Sequence, residues 1–537
     1  MIAGSNFLRY SCQGIFKSSQ VVGLRDRVLF GVISALLLSA KSTLVTGSHE
    51  NDLASNTNIF RLFEDVQANR RFQNPSTIMS VDSVHDEIVS YHHCVNPERR
   101  AVFKRCQIFS ICNHKGDFYY FLSRDGNSTR LGAVNLAGLG DRITYKEEKN
   151  PLFYADTRGH FQFSPNLYPF GFNSFVKDRG IAEVIWHHRP AYFLNKHACT
   201  NAGHCITENA LPLVILMLTF EMQRHSPHAV LDNDILLLEH SAETCGCKSN
   251  LHACGGEGKS PTYVKLCRKF VREIIGSLSL NAVKYLSDLK TSALNPAVME
   301  CWDKAYGGTG STGPYTSGHQ EQMGPFYALL RDLVHHRYNQ YPSAAQRKRY
   351  IFCHDEAQYR MNVTLHWKRG KRTITNMDKV MEWTLNHVLS VEGHSTHLAS
   401  ACAGESHPSA FPLRAVRFSV RLVAWENISF AEQIALLAHT DIFISSPGSG
   451  SVSGVFLPHG SAMITGPLCE GDDCWNFDIM TIFQHWSHVE TVVYKVERHE
   501  KREIAGSLFR DVEWEKNKFI ALLETAAHSV LFKTLAT

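Results

Sequence analysis

The sequence predicts an α/β protein with two domains and a parallel sheet. The chain has 537 residues, which is more than one ordinary hydrophobic core accommodates. In its second half, apolar runs of strand length alternate with longer amphipathic runs, as in sheets with crossover helices. The apolar fraction of 44% is that of a globular protein. The net charge of +4 includes no long basic run, so nucleic-acid binding is not expected.

The N-terminus has the pattern of a targeting segment. Arg25 and Arg27 precede an apolar run at 28–40, which is shorter than the roughly 20 residues that span a bilayer. We expect residues 1–27 to be a cytosolic tail and 28–45 a signal anchor or signal peptide, with a buried core helix as the alternative. An anchor would place the body in the lumen of the endoplasmic reticulum or Golgi, and cleavage would release a secreted protein.

Cysteines and glycosylation sequons indicate the same compartment. Of the 15 cysteines, only Cys12 precedes the apolar run, and the even remainder permits complete pairing as disulfides. Three Asn-x-Ser/Thr sequons start at Asn127, Asn362 and Asn427. Together these features predict a secretory-pathway protein.

The rest of the chain divides by composition. Residues 46–85 are polar and lack periodicity, so we expect a stem or linker. We predict an N-terminal domain at 86–340, a C-terminal α/β domain at 341–500, and a helix at 501–537. Early cysteines are expected to cross-link the first strands: Cys94, Cys106 and Cys112. A later cysteine-rich loop favours disulfides over zinc, because its spacing is not that of a known finger: Cys245, Cys247, His252 and Cys254.

A turn of small residues follows a buried strand in the second half. Ser429 and Glu432 have capping-box spacing, and a strand with a Pro stop at Pro447 comes next. The small residues then open another apolar segment: Gly448, Ser449, Gly450 and Ser451. Exposed N–H groups at a helix N-terminus would form an anion site suited to a diphosphate. A plain strand-to-helix turn is the alternative.

A basic turn supplies positive charge before the next helix pattern. Arg369, Lys371 and Arg372 stand close together there. Guanidinium groups bind diphosphate oxygens bidentately, which suits a diphosphate leaving group. The alternative is a solvated basic turn.

A polar pair lies at the start of the most apolar helix of the first half. His204 and Glu208 are four residues apart, and the segment begins at Asn201. The carboxylate would set the tautomer of the imidazole, as a general base requires. A satisfied histidine near a helix cap is the alternative.

In their order along the chain, these segments resemble glycosyltransferase family 61. The family pattern is similar to RCQIFSIC early in the body, NAGHCITE from Asn201, SLNAVKYLSDL at 279–289 and RGKRTITN from Arg369 to Asn376. It is also similar to ENISFAEQ, PGSG and FLPHG, so the resemblance covers roughly 90–490. Two departures stand out. Pro447 occupies the place of a family histidine, and Glu208 replaces an aspartate.

The resemblance implies a GT-B architecture, in which two Rossmann-like domains, at 86–340 and 341–500, face each other across a cleft. The helix at 501–537 would then return to the N-terminal domain. It also implies an inverting, metal-independent transfer from a nucleotide sugar, UDP-GlcNAc or a UDP-pentose, to a glycoprotein or polysaccharide hydroxyl. His204, oriented by Glu208, would be the base, and Asn201 would contact the acceptor. Glu426 would bind the base or ribose of the donor. The donor diphosphate would bind the following residues: Arg369, Arg372, Gly448, Ser449, Gly450 and Ser451.

Two other functions are compatible with parts of the sequence. A non-catalytic lumenal sugar- or nucleotide-binding protein would explain Pro447. A metal-dependent GT-A transferase would use Asp232 and Asp234 to hold manganese, although the apolar run follows this pair rather than preceding it. A dehydrogenase is not expected, because no Gly-x-Gly-x-x-Gly follows an early strand.

Overall fold

A computed structural model describes the chain in segments between residues 76 and 532. The described residues are 76–80, 88–95, 105–122, 134–135, 153–155, 161–163, 165–194, 199–221, 226–238, 261–289, 295–308, 324–340, 358–370, 372–390, 415–471, 473–475, 483, 486–504, 507 and 509–532. Residues Asn74–Thr537 form one compact unit. The predicted tail and anchor at 1–45, the cysteine-rich loop at 245–254, Lys371 and the sequon at Asn127 lie outside the described residues.

Two mixed α/β halves follow each other along the chain. The strands of the first half are β1 Ser76–Ser80, β2 Tyr91–Val95, β3 Arg105–His114, β4 Asp117–Phe121, β5 Val134–Asn135, β6 Phe153–Ala155, β7 Phe161–Phe163, β8 Asn166–Tyr168, β9 Glu183–His187, β10 Ala191–Leu194, β11 Asp234–Leu237, β12 Lys284–Tyr285 and β13 Val298–Gly307. Those of the second half are β14 Gln358–His366, β15 Val388–Ser390, β16 Ala415–Val423, β17 Ile442–Ser445, β18 Ser461–Thr465, β19 Leu468–Glu470, β20 Asp473–Trp475, β21 Val489–Val493, β22 Lys501–Glu503 and β23 Arg510–Val512.

Helices of very different length connect these strands. The α-helices are α1 Gly171–Arg179, α2 Ala202–Glu221, α3 Pro227–Leu231, α4 Pro261–Glu273, α5 Gly324–Arg337, α6 Met377–Asn386, α7 Phe430–Ala438 and α8 Lys516–Phe532. Short 3₁₀ helices cover Ile275–Leu278, Leu286–Asp288, Trp425–Asn427, Ser451–Phe456 and Arg498–Glu500.

The first sheet has ten strands and is mixed. Its main path runs β12-β11-β10-β13-β3-β4-β8, and β13 pairs in parallel with both β9 and β10. Strand β3 pairs antiparallel with β13 and continues into β4 through a two-residue turn, where Lys115 and Gly116 both have positive φ. Disulfide Cys94–Cys106 joins β2 to β3, as expected for the early cysteines. Cys112 instead pairs with Cys301, 189 residues later, and joins β3 to β13. Because of these antiparallel strands, the first half is only partly Rossmann-like.

The second sheet has the predicted parallel character. Its order is β15-β16-β14-β17-β18-β21, and all strands except the edge strand β15 run in parallel. The helix predicted from the capping box is α7, where Ser429 Oγ accepts from the Glu432 N–H. The carboxyl ends of β14, β16 and β17 therefore lie side by side at one edge of the sheet.

A shared core joins the two halves. The largest cluster of buried apolar side chains contains Leu213 of α2 and Phe443 and Met463 of the second sheet. Helix α2 passes the length and composition test for a membrane span, but 78% of its most apolar window is buried within the protein. In the described part of the chain, α2 is thus a core helix.

The structure corrects two expectations about the ends of the body. The predicted linker at 46–85 contains β1, which pairs antiparallel with β9 from Ser76 to Ser80. Backbone pairing at a sheet edge does not need an apolar pattern, and Ile78 is exposed there. Helix α8 does not return to the first half. It packs on β18, β21 and α6, where Phe519 and Leu523 fill the core of the second half.

Candidate active site

The start of helix α2 holds the predicted polar pair in contact. Asn201 is the N-cap, and its Oδ1 accepts from the N–H of Gly203 at 2.9 Å. His204 Nδ1 lies 2.9 Å from Glu208 Oε1. The Glu208 side chain is 1% exposed and that of His204 is 35% exposed. A buried carboxylate therefore orients an imidazole that reaches the surface.

A π-helical turn at Ile206–Ala210 follows and contains Glu208. Such turns occur frequently at functional sites. Its contacts lead back to the first turn: Thr207 Oγ1 donates to Gly203 O at 2.9 Å, and Asn209 Nδ2 donates to His204 O at 3.2 Å. These bonds fix the backbone on which His204 stands.

The turn of small residues leads into a 3₁₀ helix rather than an α-helix. The helix covers only Ser451–Phe456, and the Ser451 N–H donates to Gly448 O at 3.0 Å. The expected helix is therefore a 3₁₀ helix, and the expectation that the Ser451 N–H faces an anion is wrong, because this N–H is bonded within the turn. Gly448 has φ +117°, which a side chain rarely adopts. Among the described hydrogen bonds, none uses the N–H of Ser449 or Gly450, and both residues are partly exposed.

A buried histidine packs against this turn at Gly450. His366, at the end of β14, stacks on Trp425 with ring centroids 5.3 Å apart and lies with Nδ1 2.9 Å from Ser445 Oγ. A Cβ on Gly450 would come within 2.0 Å of His366 Cε1, so this position requires glycine. Burial, with a contribution from Lys368, lowers the pKa of His366 to about 3. The imidazole is therefore neutral at physiological pH.

The basic turn surrounds the same loop. Lys368 Nζ donates to Pro447 O at 2.9 Å, and a Cβ on Gly448 would lie 3.8 Å from Arg372 Cζ. Arg369 lies farther out, where its Nε is 3.8 Å from Glu426 Oε1 and both side chains are at least half exposed. An ion pair this long and exposed is weak and leaves the guanidinium available to an anion.

The C-terminal segment holds the basic turn in place. Arg372 has φ +62° and its guanidinium carbon lies 4.9 Å from the Phe509 ring centroid. The Thr373 N–H donates to Asp511 Oδ1 at 2.7 Å, and Asn376 exchanges two hydrogen bonds with the backbone of Trp514. Residues far apart in sequence thus set the conformation of Arg372.

The two predicted half-sites meet in space. A Cβ on Gly203 would lie 3.1 Å from Ser449 Cα and 3.3 Å from Val452 Cγ2. The turn that carries His204 thus packs directly on the turn that was predicted to bind phosphate. Arg372 and Lys368 approach the same turn at Gly448, and the Trp425 indole donates to Gly450 O at 3.3 Å.

The acidic pair of the metal-dependent alternative is used otherwise. Asp232 forms an ion pair with Arg189 at 2.9 Å, and Asp234 lies 3.6 Å from Lys284. Both precede or begin β11, whereas a metal-binding pair of this kind follows a strand. The arrangement gives no support to a manganese site at these residues.

Three residues of the site were not predicted. Lys368 belongs to the basic run but was passed over in favour of the arginines. His366 ends strand β14, and Trp425 lies two residues after the end of β16. Adjacent parallel strands bring such positions together. The strand order that makes them neighbours was not readable from the sequence.

Comparisons with known proteins agree with the sequence resemblance. Residues 203–464 match the family model described as Glycosyltransferase 61. The EGF domain-specific O-linked N-acetylglucosamine transferase of Drosophila melanogaster is 25% identical over 119 residues, which are 21% of this chain and 23% of that protein. The chain therefore spans less than a quarter of this curated relative in the match. The E. coli heptosyltransferase WaaC with ADP-2-deoxy-2-fluoro heptose aligns at 11% identity and a TM-score of 0.22, covering 63% of this chain and 99% of that one. A TM-score this low does not establish a shared fold.

Proposed function

We propose that this chain, which belongs to glycosyltransferase family 61 through residues 203–464, transfers a sugar from a nucleotide sugar to a hydroxyl group with inversion. The donor is UDP-GlcNAc or a UDP-pentose, and the acceptor is a glycoprotein or a glycan. The N-acetylglucosamine in the name of the Drosophila relative favours the first of these donors.

The observation that carries the proposal is the contact between the two half-sites. Gly203 packs on Ser449, so the turn with a candidate base adjoins the turn with candidate diphosphate ligands. An inverting transfer needs these two functions on opposite sides of one anomeric carbon. The base takes the proton of the acceptor hydroxyl, the hydroxyl oxygen bonds to the anomeric carbon, and the bond to the diphosphate oxygen breaks.

His204 acts as the base in this mechanism. Its Nδ1 contact with Glu208 keeps the ring proton on Nδ1, which leaves Nε2 as the nitrogen that accepts the hydroxyl proton. The developing imidazolium is stabilised by the buried Glu208 carboxylate. Asn201 shapes the first turn of α2 beside the acceptor.

The leaving diphosphate is stabilised by fixed positive charge. Arg372 and Arg369 offer guanidinium forks, and the amides of Gly448, Ser449 and Gly450 offer N–H donors. Lys368, which donates to Pro447 O, adds a third cation beside the turn at 447–451. Glu426 contacts the base or ribose of the donor once Arg369 turns toward phosphate. We propose that no metal ion is needed.

In this proposal, the two sheets are the halves of a GT-B enzyme, with the donor bound to the second sheet and the acceptor to the first. The body lies in the lumen of the secretory pathway, held there by the N-terminal apolar run or secreted after its cleavage. The three described disulfides support an oxidising compartment: Cys94–Cys106, Cys112–Cys301 and Cys469–Cys474.

A non-catalytic nucleotide-sugar-binding protein is the second candidate. Pro447 favours it, because a proline cannot supply the imidazole that the family pattern has at this position. In that case the donor site would persist and the transfer would not occur.

The test is binding and hydrolysis of a panel of nucleotide sugars by residues 47–537, with and without EDTA. Saturable binding of one UDP-sugar that survives EDTA, with slow release of UDP, is the expected result. Arg372→Ala should weaken the Kd by about 10–100-fold, because a charge-assisted hydrogen bond contributes about 1.5–3 kcal/mol. Arg417→Ala, an exposed arginine at the other end of the sheet, is the matched control and should bind normally.

Three outcomes separate the candidate functions. Binding without UDP release, even with glycoprotein acceptors, would favour the non-catalytic protein. A strict requirement for manganese would contradict the metal-free mechanism. Absence of binding to every donor would overturn the proposed function.

A further inference from the structure

Two thiols face each other inside the helix α2 junction. Cys199 and Cys205 are 1% and 0% exposed, and their Sγ atoms lie 2.8 Å apart. That distance is shorter than the van der Waals contact of two unbonded sulfur atoms. Neither of them is in a disulfide in the structure, whereas the other cysteines that it describes are.

We propose that Cys199 and Cys205 form a disulfide in the mature protein. Burial holds the two sulfur atoms together in the folded state. Their sequence separation of 6 makes closure of the loop local. The described disulfide Cys469–Cys474 has a similar separation of 5, so the chain already closes one loop of this size.

The reaction is a thiol–disulfide exchange with an external disulfide, either a protein disulfide or an oxidised small thiol. The thiolate of one cysteine attacks the external disulfide and releases one thiol. The second cysteine then attacks the mixed disulfide and releases the other. The two cysteines lose two electrons and two protons, and the external disulfide takes up both as two thiols.

The link encloses the residues on which the candidate base depends. Asn201, Gly203 and His204 all lie between Cys199 and Cys205. The disulfide ties the segment before the N-cap to the first turn of α2, so it restrains the turn that presents His204 and packs on Ser449. This consequence rests on the proposed function, whereas the disulfide itself does not.

Peptide mapping of the unreduced protein tests the link directly. Trypsin releases both cysteines in one peptide, 197–224, between Lys196 and Arg224. We expect this peptide to be lighter by two hydrogen atoms than its dithiol form, and to take up N-ethylmaleimide only after reduction. Alkylation of both thiols in the denatured, unreduced protein would overturn the proposal, as would a cross-link from either cysteine to the peptide containing Cys267.

The restraint is tested with paired variants. Cys199→Ser/Cys205→Ser should raise amide hydrogen exchange in 199–210 and lower kcat for UDP release about 10–100-fold, with the donor KM unchanged. Cys469→Ser/Cys474→Ser removes a disulfide of similar loop size and should change neither quantity. If the first variant does not fold, the single variant Cys199→Ser, which also removes the link, provides the same comparison.

The outcomes keep the two proposals apart. A linked peptide with unchanged exchange at 199–210 in the double variant would overturn the restraint. A linked peptide in a protein that binds no donor would leave the disulfide standing and overturn the proposed function.

Discussion

His204 and Arg369 both present a polar group to the candidate site, but very different contacts hold them. His204 stands on a capped helix, with its ring bonded to a carboxylate that is 1% exposed. Arg369 stands on a loop and pairs at 3.8 Å with Glu426, and both side chains are exposed. We call residues 201–208 the helix side of the site, and residues 366–376 with 446–451 the loop side.

The difference shows which parts of the site are complete before a ligand binds. The helix side has its orienting hydrogen bonds in place, as the proposed base requires. On the loop side, Arg369 has a weak partner that a diphosphate can replace, while the turn at Gly450 packs on the buried ring of His366, which stacks on Trp425. Preorganisation on one side and exchangeable partners on the other suit a site that holds a base fixed and binds and releases a charged donor.

Removing the base should affect the helix side alone. His204→Ala is expected to lower the rate of UDP release about 10²–10⁴-fold, the usual contribution of a general base, while the Kd for UDP stays within a few-fold of normal. Single-turnover kinetics and calorimetric titration with UDP measure the two quantities. Equal losses of binding and rate would mean that the two sides are not separable in function.

A methyl group at Gly450 should destabilise the loop side through its contact with the buried His366. In Gly450→Ala, the new Cβ would come within 2.0 Å of His366 Cε1, so the turn or the imidazole must move, at about 1–3 kcal/mol of stability. Thermal unfolding and UDP titration should both show the loss. His366→Ala in the same chain removes the clash and should recover part of it. If the double variant were no better than the sum of the single ones, the clash would not be the cause.

Acid should destabilise the loop side through the same histidine. Burial lowers the pKa of His366 from 6.5 to about 3, so the unfolded chain takes up a proton that the folded protein does not. Above pH 6.5, the neutral state of His366 costs the folded protein nothing. As the pH falls from 6.5 toward 3, His366 lowers the free energy of unfolding by about 1.4 kcal/mol per pH unit.

A variant separates the pH dependence caused by His366 from that caused by other buried histidines. His335 and His488 are also buried, with pKa values lowered to about 4 and about 3, so the whole protein should lose stability over the same range. The unfolding free energy of His366→Gln should fall less steeply between pH 6.5 and pH 5 than that of the unmodified protein. Parallel pH dependences would show that His366 is not held neutral.

Substitution in the exposed Arg369–Glu426 pair should have the smallest effect on stability. Because the Arg369–Glu426 pair is long and exposed, Glu426→Gln should change the free energy of unfolding by less than about 1 kcal/mol. If Glu426 binds the donor ribose or base, the same variant should weaken the Kd for UDP but leave that for inorganic diphosphate unchanged. Equal effects on both ligands would place Glu426 near the diphosphate instead.

Local patterns predicted the pieces of the site but not their assembly. Three local features predicted from short stretches of sequence are present. They are the capping box of Ser429, the strand before Pro447, and the contact between His204 and Glu208. The family resemblance is confirmed by the match at 203–464. His366 was missed because its role arises from strand order, which pairs β14 with both β16 and β17.

Two differences between the structure and the sequence predictions arise from tertiary contacts that the local sequence does not show. Strand β1 joins the first sheet through its backbone, and its residues Ile78 and Met79 are adjacent rather than alternating, so the sequence shows no strand pattern there. The segment Ser451–Phe456 forms a 3₁₀ helix, in which the Ser451 hydroxyl donates to Gly448 O at 2.5 Å. Tertiary packing against Gly203 and His366 decides the shape of this turn.

The contacts between the basic turn and the C-terminal segment have a genetic consequence. Phe509, Asp511 and Trp514 lie well beyond residue 464, where the family match ends, yet they fix Arg372 and the residues that follow it. A nonsense mutation as late as codon 508 would leave every residue of the matched region in place. We expect such an allele to encode a protein without donor binding, so late truncations should be scored as null rather than mild.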